Sequence, residues 1–125
     1  EVVREGKAGY VVSYGEMLFR ALDAVERARK DGIDVGLINK PTLNVVDHEM
    51  LSTVGRSPFV LVVEAQNAKT GLGSRYGSWL LEGGFAPRYR ALGVTKPGKG
   101  GTAEQIPFQG LAPDDILATL KEMAG

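Results

Sequence analysis

A short apolar segment, followed by an acid and a glycine-rich turn, restricts the fold of this chain more than any other feature. Residues 59–63 read Phe-Val-Leu-Val-Val, which is apolar on both faces of an extended strand and typical of a central parallel strand. Glu64 follows at once, and Gly71-Leu72-Gly73-Ser74 then opens an amphipathic segment that begins near Arg75. In α/β folds, a strand, a turn and a helix in this order present backbone groups to a ligand or partner. The stretch therefore predicts an α/β domain.

The first third of the chain has the pattern of a β-α-β unit. Residues 10–14 are rich in strand-forming side chains. From Glu16 to Lys30, apolar residues recur every three or four positions, which predicts an amphipathic helix that ends at Asp31-Gly32. A second short strand is predicted from Ile33 to Ile38. Because such crossovers place successive strands in parallel, we expect the first two strands to be neighbours.

The remaining segments complete an alternation of strands and helices. A short helix capped by Asp47 is predicted up to about Val54, and longer helices are predicted over residues 73–82 and from Pro113 onward. The third strand is residues 59–64, the fourth is residues 89–94, and residues 95–110 have the composition of a long loop. We predict three layers, with a mostly parallel sheet of four or five strands in the order second, first, third, fourth. Helices should cover both faces of this sheet.

Composition excludes several classes of function. A length of 125 residues fits one domain with one core. Lys plus Arg and Asp plus Glu both total 15, so net charge gives no support for a nucleic-acid or membrane partner. The absence of cysteine rules out disulfides, a thiolate nucleophile and a cysteine-based metal site, and it is consistent with a cytoplasmic location. The single histidine, His48, follows the capping Asp47, which favours a structural role over a catalytic or metal-binding one.

Several local motifs occur in the order and spacing of a known domain family. They are Arg4-Glu5-Gly6, Val11-Val12-Ser13-Tyr14-Gly15-Glu16-Met17, Asp31-Gly32-Ile33-Asp34-Val35, Thr42-Leu43 followed by Asp47, and Glu64 followed by Gly71-Leu72-Gly73-Ser74. Together they resemble the C-terminal domain shared by transketolases, deoxyxylulose-phosphate synthases and the decarboxylase beta subunits of two-oxoacid dehydrogenases. The resemblance covers residues 4–82 well and the remainder only loosely.

The resemblance implies a division of labour within a longer chain. Enzymes of this family use thiamine diphosphate and magnesium, held between other domains, for ketol transfer or two-oxoacid decarboxylation. The domain resembled here is expected to be non-catalytic, to bind no cofactor itself, and to serve dimer contacts, interdomain contacts or regulation. Residues 1–125 are accordingly expected to be a single domain and a fragment of a longer protein, with the preceding domains and a second copy as partners.

The glycine turn allows two interpretations. Backbone N–H groups at a helix start attract phosphate or carboxylate, so Gly71, Gly73, Ser74 and Arg75 form a candidate site for an anion or a regulatory ligand. A stand-alone α/β module that binds a phosphorylated ligand there is the alternative function. The other interpretation is a tight turn in which the glycines permit close packing. The sequence also leaves two roles open for Glu64. Its carboxylate could be a perturbed acid at an interface, or it could accept N–H groups of the following turn.

One helix carries more apolar residues than a single buried face can hold. Trp79, Leu80 and Leu81 are consecutive, and three consecutive residues cannot all point to one side of a helix. Part of this trio should therefore meet a second surface, either a neighbouring loop or another chain. We expect that surface to belong to a symmetric homodimer.

Overall fold

The computed structural model of the chain describes residues 2–40, 47–67, 71–94 and 110–125. The strands in these residues are β1 (Val2–Arg4), β2 (Gly9–Ser13), β3 (Val35–Asn39), β4 (Phe59–Asn67) and β5 (Arg88–Val94). The helices are α1 (Met17–Lys30), α2 (His48–Gly55), α3 (Leu72–Glu82) and α4 (Pro113–Ala124). Each element that the sequence predicted within these residues is present, and β1 is an addition.

The five strands form one sheet in the order β1-β3-β2-β4-β5. β2 pairs in parallel with β3 and β4, and β4 pairs in parallel with β5. The prediction of a mostly parallel sheet in the order second, first, third, fourth is confirmed. β1 pairs antiparallel with β3 at the sheet edge. It escaped prediction because a strand of three residues is too short to show a pattern.

Alternate residues of the central strands face opposite layers of helices. On one face, Val11 of β2 and Leu61 of β4 join the apolar side chains of α1 and α4. On the other face, Val12 and Val62 join the apolar side chains of α2 and α3. The predicted three-layer arrangement is confirmed. It arises because successive side chains of a strand point to opposite faces, and these strands are apolar on both faces.

Two strands differ from the boundaries read in the sequence. β3 runs from Val35 to Asn39 rather than from Ile33 to Ile38. β4 continues beyond Glu64 to Asn67, because after an irregularity in register Asn67 again pairs with Val94 of β5. Polar residues hide this extension from a pattern based on apolar side chains. Most of the predicted long loop, and the Thr42-Leu43 motif, lie outside the residues that the structure describes.

Candidate functional site

Glu64 lies where the third predicted strand meets the glycine turn, and it is fully buried. Val60 and Val62 face α2 and α3, so the alternation of β4 carries the Glu64 side chain to the same face. There its carboxylate accepts the backbone N–H of Leu72 at 2.9 Å and that of Gly73 at 2.5 Å. These N–H groups belong to the first turn of α3 and have no partner within the helix. Glu64 therefore caps the helix from the strand.

Tyr14 supplies the third hydrogen bond to this carboxylate. Ser13 and Val63 are in register between β2 and β4, so Tyr14 and Glu64 follow side by side at the ends of adjacent strands. The Tyr14 hydroxyl donates to Glu64 Oε1 at 3.1 Å. Burial, and then the charge of Glu64, raise the pKa of Tyr14 well above its ordinary value. Both effects keep this hydroxyl protonated and able to donate.

Gly73 stands where no side chain fits. A Cβ atom there would lie 2.6 Å from the Cβ of Ala91 and 3.1 Å from Glu64 Oε2. The Tyr89 hydroxyl donates to the carbonyl oxygen of Gly73, which ties the turn to β5 as well as to β4. Burial, and then the charge of Glu64, also raise the pKa of Tyr89. The close packing that the sequence offered as one interpretation of the turn is confirmed.

The residues predicted to bind an anion divide into a buried pair and an exposed pair. Gly71 and Gly73 are buried, whereas Ser74 and Arg75 are exposed in the first turn of α3. Because Glu64 already accepts two N–H groups of this turn, an external anion would have to approach a buried carboxylate of like charge. Anion binding here remains a prediction. The second interpretation of Glu64, as an acceptor for the following turn, is confirmed.

Sequence reasoning missed the two tyrosines that complete the site. Tyr14 could have been found, because the predicted strand order already placed its strand beside that of Glu64. Tyr89 could not, because its contact with Gly73 depends on how far α3 stands from β5. Polar contacts made across layers leave no periodic signal in the sequence.

The described part of the chain does not fit the cofactor that the resemblance implies for the parent enzyme. A magnesium-bound diphosphate needs several oxygen ligands around the metal and free donors for the phosphates. Within the described residues, no group of three or more His, Asp or Glu side chains could hold a metal ion. Two donors of the glycine turn are already bonded to Glu64.

None of the helices in the described ranges has the length and apolar character needed to cross a membrane.

The outer surface of α3 is the second feature of functional interest. Leu80 is only 2% exposed, whereas Leu81 is 76% exposed. Trp79 is half-buried, with its ring 5.8 Å from that of Tyr76 and 5.7 Å from the Lys40 ammonium group. The prediction that the trio cannot share one face is confirmed, and Leu81 is the residue that points outward.

Comparison with known proteins identifies the family. The model for "Transketolase, C-terminal domain" matches residues 1–116. The chain belongs to this family of domains, and the resemblance seen in the sequence is confirmed.

Relatives by sequence come from several branches of the family. The chain is 30% identical over 129 aligned positions to a transketolase-family protein of Sinorhizobium fredii, with 98% of this chain and 37% of that protein covered. It is 34% identical over 94 positions to 1-deoxy-D-xylulose-5-phosphate synthase of Thermus thermophilus, which covers 75% of this chain and 14% of that enzyme. A pyruvate dehydrogenase E1 beta subunit of Dictyostelium discoideum is 28% identical over 102 positions, covering 78% of this chain and 29% of that subunit. The chain thus spans well under half the length of these relatives.

Solved structures agree on the architecture. A structure described as a split-gene transketolase, an inactive beta4 tetramer, superposes with a TM-score of 0.87 at 26% identity, over 99% of this chain and 40% of that one. Transketolase of Campylobacter jejuni superposes with a TM-score of 0.70 at 13% identity, over 97% of this chain and 18% of that one, which supports the fold alone.

Proposed function

We propose that this chain is the non-catalytic assembly domain of a thiamine-diphosphate-dependent, transketolase-type enzyme. The parent would transfer a ketol fragment or decarboxylate a two-oxoacid with a cofactor held by other domains. Membership in the C-terminal domain family is the observation that carries this proposal. Its partners would be the preceding domains of the parent and a second copy of itself, in the cytoplasm.

The state of Glu64 supports a non-catalytic role. Among the described residues it is the one buried carboxylate, and both of its oxygens accept hydrogen bonds from its own chain. A general acid or base must come within hydrogen-bond reach of a substrate proton. A carboxylate held by two backbone N–H groups and a tyrosine hydroxyl instead fixes the geometry of the turn.

The exposed Leu81 supports a role in assembly. A large apolar side chain that is 76% exposed lies on a helix whose other face is buried in the core. Together with the neighbouring Phe85 and Pro87 it lines an apolar groove, and exposed apolar patches are candidates for contacts with other proteins. The structural relative described as a beta4 tetramer also assembles from copies of one chain.

Sedimentation equilibrium of the purified chain tests the assembly role. We expect a species of twice the 13.4 kDa chain mass at high micromolar concentration, with dissociation on dilution. A single 13.4 kDa species throughout this range would contradict self-association.

A second candidate function is a stand-alone module that binds a phosphorylated ligand at the Gly71–Arg75 turn. The specific observation in its favour is that Ser74 and Arg75 are exposed together at the start of α3. A thermal-shift screen with nucleotides and sugar phosphates separates the two functions. A ligand present at 100 times its dissociation constant would stabilise the fold by about 2.7 kcal/mol, which such a screen detects.

A further inference from the structure

The exposed face of α3 carries its charges in an unusual order. Ser74, Arg75, Ser78, Leu81 and Glu82 are the helix residues most open to solvent, and they recur every three or four positions. Arg75 lies in the first turn and Glu82 is the last residue, while the first turn has no acid and the last turn has no base. Within one helix this order is unfavourable, because the N-terminal end of a helix favours negative charge and the C-terminal end favours positive charge.

An antiparallel neighbour of the same sequence would make this order favourable. Arg75 and Glu82 are seven residues apart, so they lie near one line along the helix, about 10 Å from each other. If a second α3 runs in the opposite direction, Arg75 faces Glu82 of the partner subunit and also the negative end of the partner's helix. The two-fold axis repeats the same contact at the other end, so one surface complements itself.

The middle of this face suits a close approach. Ser78 lies between Arg75 and Glu82, and its short side chain leaves room for another helix. To one side, the exposed Leu81 borders an apolar groove of about 250 Å³. The groove is also lined by Gly77, Leu80, Phe85, Ala86, Pro87 and Tyr89. A pairing centred near Ser78 would bury the Leu81 side chain at the same time as it joins the charges.

We propose that two copies of this chain associate through α3, antiparallel about a two-fold axis near Ser78, with reciprocal Arg75–Glu82 pairs and Leu81 buried between them. This inference rests on the proposed self-association and adds the surface and the orientation. Charge complementarity favours a second copy of the chain as the occupant of this face. The basic end of the face, at Arg75, is complemented by the acidic end, at Glu82, of an identical face that runs in the opposite direction.

Charge reversal provides the test. Arg75→Glu places an acid against Glu82 of the partner subunit at both ends of the pair, and Glu82→Arg places two bases together in the same way. We expect each single variant to raise the dissociation constant of the dimer about tenfold or more, measured by sedimentation velocity across a dilution series. The double variant restores opposite charges at both ends, so its dissociation constant should return to within about threefold of the original.

Controls separate this inference from the proposed function. Lys30→Glu reverses an exposed charge at the end of α1, on the other face of the sheet, and should leave the dimer unchanged. Circular dichroism of every variant confirms that the fold persists. A dimer that is indifferent to both single reversals, or a double variant that stays dissociated, overturns the α3 pairing but leaves self-association standing. A chain that is monomeric before any substitution overturns both, and points to the preceding domains of the parent as the occupant of this face.

Discussion

At the scale of single residues, the protein depends on satisfying one buried carboxylate. Glu64 is fully buried, and a carboxylate in that position costs several kcal/mol unless its oxygens are hydrogen-bonded. Two N–H groups of α3 and the hydroxyl of Tyr14 meet that need. The same contacts hold β2, β4 and the start of α3 at fixed distances, so one side chain joins three elements.

Glu64→Gln should destabilise the fold. The glutamine carbonyl can accept one N–H group, but its amino group would face the other donor, and hydrogen bonds to a charged acceptor are worth about 1.5–3 kcal/mol each. We expect a loss of about 3 kcal/mol in the free energy of unfolding, measured by urea denaturation. Glu49→Gln, at an exposed position in the first turn of α2, is the matched control and should change stability by less than about 0.5 kcal/mol. Equal effects of the two substitutions would refute the assigned role of Glu64.

Alkaline pH should lower the stability of the protein through three tyrosines that are buried or partly buried. Burial is the main cause that raises the pKa of Tyr14, Tyr76 and Tyr89 above the ordinary value of 10.0. Their contribution to stability is complete below about pH 10, where both the folded and the unfolded chain keep the hydroxyl protons. At higher pH the unfolded chain releases these protons first, so the free energy of unfolding falls until the folded-state pKa is passed.

Tyr14→Phe isolates one of these contributions. Unfolding curves at about pH 9 and about pH 11 should show a smaller loss of stability for this variant than for the original chain, since one titrating hydroxyl is gone. At neutral pH the variant should be less stable by about 1–3 kcal/mol, because Glu64 loses a donor. An identical loss of stability between the two pH values in both proteins would contradict the raised pKa of Tyr14.

At the scale of elements, the sequence determined the helices and parallel strands well and the contacts between layers poorly. The apolar repeat of α1 predicted its extent to within one residue, because packing on one face imposes that repeat. β1 and the last residues of β4 were missed, since short or polar strands are selected by their neighbours in the sheet rather than by their own pattern. In the candidate site, Glu64 and the glycines were visible as a motif. The tyrosines that bond to them belong to distant segments.

The start of α2 gives a test at this scale. The Asp47 side chain accepts the backbone N–H of Met50 at 3.1 Å, as expected of a helix cap. Asp47→Ala should lower the free energy of unfolding by about 1 kcal/mol, measured by urea denaturation. Asp47→Asn keeps an acceptor at the same place and should lose much less, since asparagine caps helices about as well as aspartate. If both variants lost the same amount, charge rather than capping would explain the effect.

At the scale of the whole molecule, the described residues form a five-stranded sheet between two apolar layers, yet the outer faces of α1 and α3 each leave a large apolar side chain exposed. Leu81 at 76% exposed contrasts with the fully buried apolar residues on both sides of the sheet. The chain also spans only 37% of its relative in Sinorhizobium fredii. A domain that folds around its own core and keeps a large apolar side chain exposed on an outer helix suits the proposed role in assembly.

Leu81→Lys should give a folded monomer. The substitution places a charge within the proposed contact, where burial without a partner is costly, and it touches nothing in the core. Sedimentation velocity should show loss of the dimer, while the thermal unfolding midpoint of the monomer stays nearly unchanged. Phe19→Lys is the matched control, since Phe19 is 75% exposed on α1, away from the proposed contact. Dissociation by Phe19→Lys, with Leu81→Lys still dimeric, would move the interface to the other side of the sheet.

Calorimetric titration of the chain with thiamine diphosphate and magnesium tests the central claim that this domain assembles the enzyme without holding its cofactor. The turn that could receive a phosphate is occupied by the Glu64 carboxylate, and the described residues provide no cluster of metal ligands. We expect no binding heat at cofactor concentrations up to the millimolar range. The Glu49→Gln variant, titrated in the same way as a control, should also give none. A dissociation constant below about 10 μM, equivalent to roughly 7 kcal/mol of binding free energy, would place the cofactor site in this chain and contradict the account.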